Sequence, residues 1–149
     1  MLVQPHTGNI NADMLALLLT ADPDESAVNN YIGAATIAVI KEADKVVAVA
    51  AIIIEGRAAE LKNIAVSLNC QGQGMAKALI FYMQQLAKES GATSLTVGTG
   101  NSSLDQLALY QKCGFRFDSM IPDFFLAYPE PIYENGLRCI DMVMLRMEL

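Results

Sequence analysis

The stretch from Val66 to Ala76, Val-Ser-Leu-Asn-Cys-Gln-Gly-Gln-Gly-Met-Ala, constrains this chain more than any other. Ahead of it, Glu60 to Val66 reads as a strand. Behind it, Gly74 to Glu89 has no proline and repeats apolar residues at helical spacing: Met75, Ala78, Leu79, Tyr82, Met83 and Leu86. Gly72 and Gly74 at the junction let the backbone turn sharply and come close to a ligand. The first amides of a helix have no internal partner, and the helix dipole adds partial positive charge there. Strand, glycine turn and helix N-terminus in this order make an anion site, most often for phosphate. A P-loop is excluded, because G-x-x-x-x-G-K-[ST] is absent. The dinucleotide fingerprint is broken as well, since Lys77 stands where its third glycine belongs. An ordinary tight turn would use the same two glycines.

The rest of the chain frames that junction with short elements. Leu2 to Gln4 reads as a strand, broken by Pro5 and Gly8. Asn11, Ala12 and Asp13 offer caps for a helix carrying Met14, Leu15, Leu17, Leu18 and Leu19, and Asp22-Pro23-Asp24 leads into a second helix, Glu25 to Ile32. Thr36 to Ile40 and Lys45 to Ile54, rich in Val, Ile and Ala and joined by Glu42-Ala43-Asp44, predict an antiparallel hairpin. After the long helix, Ser94 to Val97 predicts a short strand. Gly98 to Ser103 predicts a loop with Ser103 as a cap, and Leu104 to Lys112 a helix. Phe115 to Met120 predicts a strand and Ile121 to Gly136, with three prolines, a long loop. Leu137 to Met147 predicts one closing strand. No repeat or linker interrupts this order, which describes one mixed α/β (α+β) domain over residues 1–149.

Composition removes whole classes of function. The chain is 53% hydrophobic and 17% charged, which suits a packed core rather than disorder. Its formal net charge of -6 gives no basic footprint for nucleic acid and mildly favours a cationic partner. Cys70, Cys113 and Cys139 are scattered and the single histidine is His6, so neither a metal site nor a disulfide framework is expected. The longest apolar run, Val46 to Ile54, is too short to cross a bilayer, and no signal-peptide pattern opens the sequence. A cytoplasmic protein without membrane contact is the expectation.

At the glycine segment the sequence resembles a known family. Gln71-x-x-Gly74-x-Ala76 is similar to the Q/R-x-x-G-x-G/A motif with which the GNAT (Gcn5-related N-acetyltransferase) superfamily holds the pyrophosphate of acetyl-coenzyme A. Asn101, Tyr110 and the Leu-Tyr-Gln-Lys-Cys-Gly-Phe context resemble the family's later helix. The order of elements resembles the family's from end to end. The resemblance implies a mixed, mostly antiparallel sheet of seven strands with four helices and a V-shaped splay between the fourth and fifth strands. It also implies acetyl-coenzyme A as co-substrate, with no metal.

Acetyl transfer to an amine needs a held thioester, a deprotonated amine and a proton for the leaving thiolate. The resemblance assigns the first task to backbone groups of Gln71, Gly72, Gln73, Gly74, Met75 and Ala76, and to the strand edge Ile64, Ala65 and Val66. An amide there, that of Val66, would polarise the thioester carbonyl. Tyr110 is implied as the acid, and a core-packed helix aromatic is the other reading. Glu60 is implied as the base, and a solvent-facing strand glutamate is the other. Asn101 is either a coenzyme ligand or a turn or cap residue. The resemblance implies that acceptor choice falls to Ala21 to Tyr31 and to Asp123 to Gly136, with Phe124, Phe125, Tyr128, Tyr133 and Glu134, and aromatics that only pin a long loop onto the body are the other reading. A small-molecule or peptide amine is the implied acceptor, and a homodimer is compatible with the family pattern. The rival expectation is an acyl-coenzyme A sensor that binds without transferring.

Overall fold

Two alternating runs of Val, Ile and Ala build the centre. Strand β2 (Thr36–Glu42) and strand β3 (Lys45–Glu55) pair antiparallel, and most of their residues are buried. Their turn is Ala43-Asp44, both in the left-handed region at φ 50° and 64°. Such a turn matches the twist of the strands it joins. Strand β1 (Val3–His6) lies outside β2, and β4 (Ala58–Val66) pairs with β3. This computed structural model describes all residues, 1–149.

Helices α1 (Ala12–Ala21) and α2 (Glu25–Ile32) cover one face of the sheet. Met14, Leu18 and Val28 pack there on Val39, Val49 and Ala51. Both helices are capped by side chains: Asn11 accepts from the Met14 amide and Asp24 from the Ser26 amide. The long helix α3 (Met75–Glu89) covers the other face, where Leu79, Ile80 and Met83 meet Ala50, Leu61 and Leu95. Strand β5 (Ser94–Gly100), helix α4 (Leu104–Lys112), strand β6 (Arg116–Ile121), a small hairpin of β7 (Tyr133–Glu134) and β8 (Leu137–Arg138), and strand β9 (Met142–Glu148) complete the chain. The main sheet runs β1-β2-β3-β4-β5-β9-β6, antiparallel except where β4 meets β5. Seven strands, four helices and this one parallel pair are the expected fold.

Strand β1 runs on through Pro5, which was expected to break it and is tolerated on an edge strand, and two further differences bear on the site. Strand β5 runs through Gly98 and Gly100, which were expected in a loop. Each faces a methionine across the sheet, Gly98 opposite Met144 and Gly100 opposite Met142. A Cβ on Gly98 would come within 2.7 Å of the Met142 sulfur and 2.9 Å of that of Met144. Glycine is therefore a strand residue here because its neighbours occupy its side-chain space. The expected closing strand, Leu137 to Met147, is broken: Cys139 to Asp141 leaves the sheet between β8 and β9. The segment before it is also ordered, with a 3-10 turn at Phe124–Ala127 and the β7–β8 hairpin.

The splay between β4 and β5 is visible in the register. They pair only from Ala58↔Ser94 to Leu61↔Val97. Asn63 to Val66 stay on β3, while Gly98 to Gly100 stay on β9. At the fork, β4 bulges: Ile52 pairs with Leu61 and Ala51 with Asn63, which leaves Lys62 as the extra residue. A bulge bends a strand and re-aims its side chains.

Candidate active site

The fork leaves one strand edge without a partner, and the ladder shows which atoms face it. The Ser67 amide donates to Val47 O at 2.7 Å, so residue 67 belongs to a hydrogen-bonded pair with β3. In an antiparallel ladder such pairs alternate with non-bonded ones. Ala65 therefore turns its backbone groups to β3, whereas Ile64 and Val66 turn theirs away, into the fork. Ile64 and Val66 line the cavity there, and Ala65 does not. Ala65, expected on the same strand edge, turns its backbone groups to β3. Its side chain packs in the core under α1 and α2.

Below the edge, the chain makes a 3-10 turn at Leu68–Cys70 and enters the glycine loop. Gly72 and Gly74 have φ of 76° and 86°, and a Cβ at either would meet nothing within 4 Å. Conformation, not space, requires glycine here. Gly74 caps α3, and the first helical bond runs from the Ala78 amide to Gly74 O. The amides of Met75, Ala76 and Lys77 are left free of helical partners. The Gln71 carboxamide donates to Val66 O at 3.2 Å, which folds the loop back onto the strand end. Gln71, Gly72, Gly74, Met75, Ala76 and Lys77 line a cavity of about 470 Å³ with Asp105, Gln106 and Leu109 of α4. Gln73 is not in that wall, and its side chain points to Asn69 O at 3.5 Å. Lys77, read from sequence only as a missing glycine, brings a cation into the first turn. This wall suits a phosphate: free amides, a helix N-terminus and a lysine.

A second cavity of about 390 Å³ opens on the other side of the fork. Ile64 and Gln106 line both, so the two meet at the unpaired edge of β4. Tyr110 lies one helical turn beyond Gln106 on the same face of α4 and lines this second cavity. It is buried and packs edge-to-face on Phe115 at 5.7 Å. Burial, with a smaller contribution from the Cys113 thiol, raises its pKa well above the ordinary phenol value. It is protonated at neutral pH, as an ordinary phenol also is.

The remaining walls come from distant segments. Asp22 follows α1, and one oxygen accepts from the Asp24 amide and the Tyr128 hydroxyl, each at 3.1 Å. Phe125 and Tyr128 stack with Phe124 in one aromatic cluster. Glu134, from the β7–β8 hairpin, takes the Ser102 and Ser103 hydroxyls on one oxygen at 3.2 and 2.8 Å. Ser103, expected to cap α4, spends its hydroxyl on this contact and makes no side-chain cap. Tyr133, expected with Glu134, lies outside the lining.

Two expected site residues have other work. Asn101 was a candidate coenzyme ligand. Its Oδ1 accepts from the Ile140 and Asp141 amides at 2.8 and 3.0 Å, and its Nδ2 donates to Arg138 O at 3.1 Å. The carboxamide pins the break between β8 and β9 and lines neither cavity. Glu60 was the candidate base. It lies before the bulge, outside both linings, with its carboxylate 3.5 Å from Lys62 Nζ. Lys62 itself sits 5.5 Å over the Tyr31 ring. Cys70 lines the cavity at the glycine loop, with its thiol 3.3 Å from a Glu42 oxygen.

Known proteins share this architecture. The profile described as "Acetyltransferase (GNAT) family" matches residues 12–115. An uncharacterised N-acetyltransferase, YvbK, of Bacillus subtilis is 40% identical over 141 residues, covering 93% of this chain and 91% of its own. A GNAT family acetyltransferase from Elizabethkingia anophelis, solved with acetyl-CoA bound, superposes with a TM-score of 0.93 at 37% identity. That match covers 99% of this chain and 97% of the other. An IAA acetyltransferase from Bacillus cereus superposes with a TM-score of 0.91 at 41% identity, covering 99% of each chain.

Proposed function

The chain belongs to the GNAT acetyltransferase family, and from that premise we propose that it transfers the acetyl group of acetyl-coenzyme A to a primary amine by direct attack in a ternary complex. The observation that carries the reading is the fork. Its unpaired edge at Ile64 and Val66 joins a phosphate-type cradle to a cavity containing a protonated, buried tyrosine. The relative from Elizabethkingia anophelis, solved with acetyl-CoA, supports the co-substrate.

The cradle amides of Gly72, Gly74, Met75, Ala76 and Lys77 hold the pyrophosphate. The backbone of Ile64 and Val66 extends along the pantetheine arm as a strand would. The Val66 N–H, facing the fork, polarises the thioester carbonyl. The amine enters from the second cavity, loses a proton to cleft water and attacks that carbonyl carbon. A C–N bond forms, the C–S bond breaks, the thiolate receives the Tyr110 proton, and the second proton leaving the acetylated nitrogen returns through cleft water to the Tyr110 phenolate. The phenol is the weaker acid of the pair in water. A thiolate left in the same buried cleft is also desolvated, which raises its own proton affinity. Cleft water, rather than Glu60, fits the base, because Glu60 is tied to Lys62 outside the cavity.

The test is coenzyme A release from acetyl-CoA against a panel of amines, with mass analysis of the product. Acetylated amine in step with released coenzyme A is the expected result. Tight acetyl-CoA binding with no transfer to any amine would instead make the chain a sensor.

A further inference from the structure

The second cavity is asymmetric in its hydrogen-bonding capacity. Two buried side-chain polar atoms in the protein lack a partner, Asn63 Oδ1 and Gln106 Oε1, and both residues line this cavity. Both atoms are acceptors. Asn63 is only 5% exposed, and its orientation is fixed by its own bonds. Its Nδ2 donates to Leu18 O at 3.0 Å and to the Tyr31 hydroxyl at 2.9 Å, so the oxygen cannot take that place. A buried carbonyl oxygen without a donor is costly, and a ligand N–H would satisfy it.

The carboxylates point the same way. Asp22 and Glu134 each commit one oxygen to the protein and keep the other free. Both are thereby fixed in position before any ligand arrives. The aromatic rings of Phe125 and Tyr128 line the same cavity, a surrounding that suits a cation. The one basic group in the lining, Lys62, is paired with Glu60 and lies over Tyr31, which offsets its charge. The net charge of -6 adds a field of the same sign.

We infer that the acceptor is a dication. One of its amines, the one acetylated, lies at the Tyr110 end; Asn63, which shares Leu18 O with the Asp22 amide, sits on the Asp22 side and offers its Oδ1 to the other. A second ammonium group is held by the free oxygens of Asp22 and Glu134. This rests on the acetyl-transfer reading for its chemistry but not for its binding, so two measurements separate them.

Three probes of matched length differ only at the far end: α,ω-diaminobutane (ammonium), n-pentylamine (methyl) and γ-aminobutyrate (carboxylate). Calorimetry on the full chain saturated with coenzyme A reads their binding without any transfer. The diamine is expected to bind about tenfold or more tighter than pentylamine, as for a charged hydrogen-bonded contact. Aminobutyrate is expected to bind weakest. Asp22→Asn and Glu134→Gln should each remove most of the diamine's advantage while leaving pentylamine and coenzyme A affinity unchanged. Unchanged coenzyme A affinity also shows that each variant is folded. Equal binding of diamine and pentylamine, or preference for aminobutyrate, would overturn the inference. Coenzyme A release with the same probes tests the acetyl-transfer reading independently. Selective diamine binding without release would retain the dication site and remove the transferase.

Discussion

The two halves of the cleft are built in opposite ways. The half proposed for the coenzyme is nearly continuous in sequence, from Ile64 to Lys77 plus one face of α4, and the groups proposed to work there are backbone amides. The half proposed for the acceptor gathers residues from α1, β4, β5, α4, the 121–141 segment and β9, and the groups proposed to work there are side chains. A backbone site is specified by conformation, so it survives many side-chain changes but few changes at Gly72 and Gly74. A side-chain site is specified by long-range contacts such as Tyr128 with Asp22, so it can change partner without changing the fold.

Substitutions in each half should therefore separate coenzyme binding from acceptor chemistry. Tyr110→Phe has the largest expected effect: kcat falls by about two orders of magnitude or more. Coenzyme A affinity by calorimetry should stay within about twofold, because the hydroxyl is no part of the cradle. Equal loss of both would mean that Tyr110 serves packing.

Gly74→Ala comes next and strikes the other half. An alanine at φ 86° costs about 1–2 kcal/mol of backbone strain. Relieving that strain turns the first amides of α3 out of line. Coenzyme A affinity should fall about tenfold, while the acceptor KM measured at saturating coenzyme stays near wild type. An unchanged coenzyme affinity would show that the loop is merely a turn.

This contrast also explains what could be read from the sequence. The cradle is legible because its physics is local: two glycines, a strand before and a helix after. The helices follow from caps and periodicity, and α2 and α4 match their expected ranges. Gly98 and Gly100 misled because glycine signals a turn unless the neighbours that fill its side-chain space are known, Met142 and Met144 at Gly98 and Cys139 at Gly100. The break at Cys139 to Asp141 was illegible because it depends on Asn101, some forty residues earlier in the chain. Asn101 and Glu60 fitted a pattern of spacing, but spacing does not show that a carboxamide is already saturated or a carboxylate already paired. Lys77 could have been found, since any basic residue in the first turn of a phosphate-binding helix merits notice.

Asn101→Ala sharpens the comparison at lower amplitude. It strands the Ile140 and Asp141 amides beside the acceptor cavity, at a cost of about 2 kcal/mol. Thermal unfolding should drop by about 4–8 °C. Coenzyme A affinity should not change, whereas a coenzyme ligand at this position would lower it.

The smallest effect is on stability at alkaline pH. Burial raises the phenols of Tyr110, Tyr128 and Tyr31 above their ordinary value, with Asp22 adding to the last two. In the unfolded chain the same phenols ionise near pH 10. The unfolded state thus releases protons there that the folded state keeps. Stability is full below about pH 10 and falls as pH rises toward the folded values. The urea midpoint should decline from about pH 9 to pH 11, less steeply in Tyr110→Phe. A flat profile would mean that these hydroxyls are solvated.

The division of labour itself is tested most directly by amide hydrogen exchange with and without acetyl-CoA. New protection is expected at Gly72 to Lys77 and at Ile64 and Val66, with little change at Ala65 and none across Tyr133 to Asp141. Protection centred on Tyr133 to Asp141, or none in the glycine loop, would contradict it.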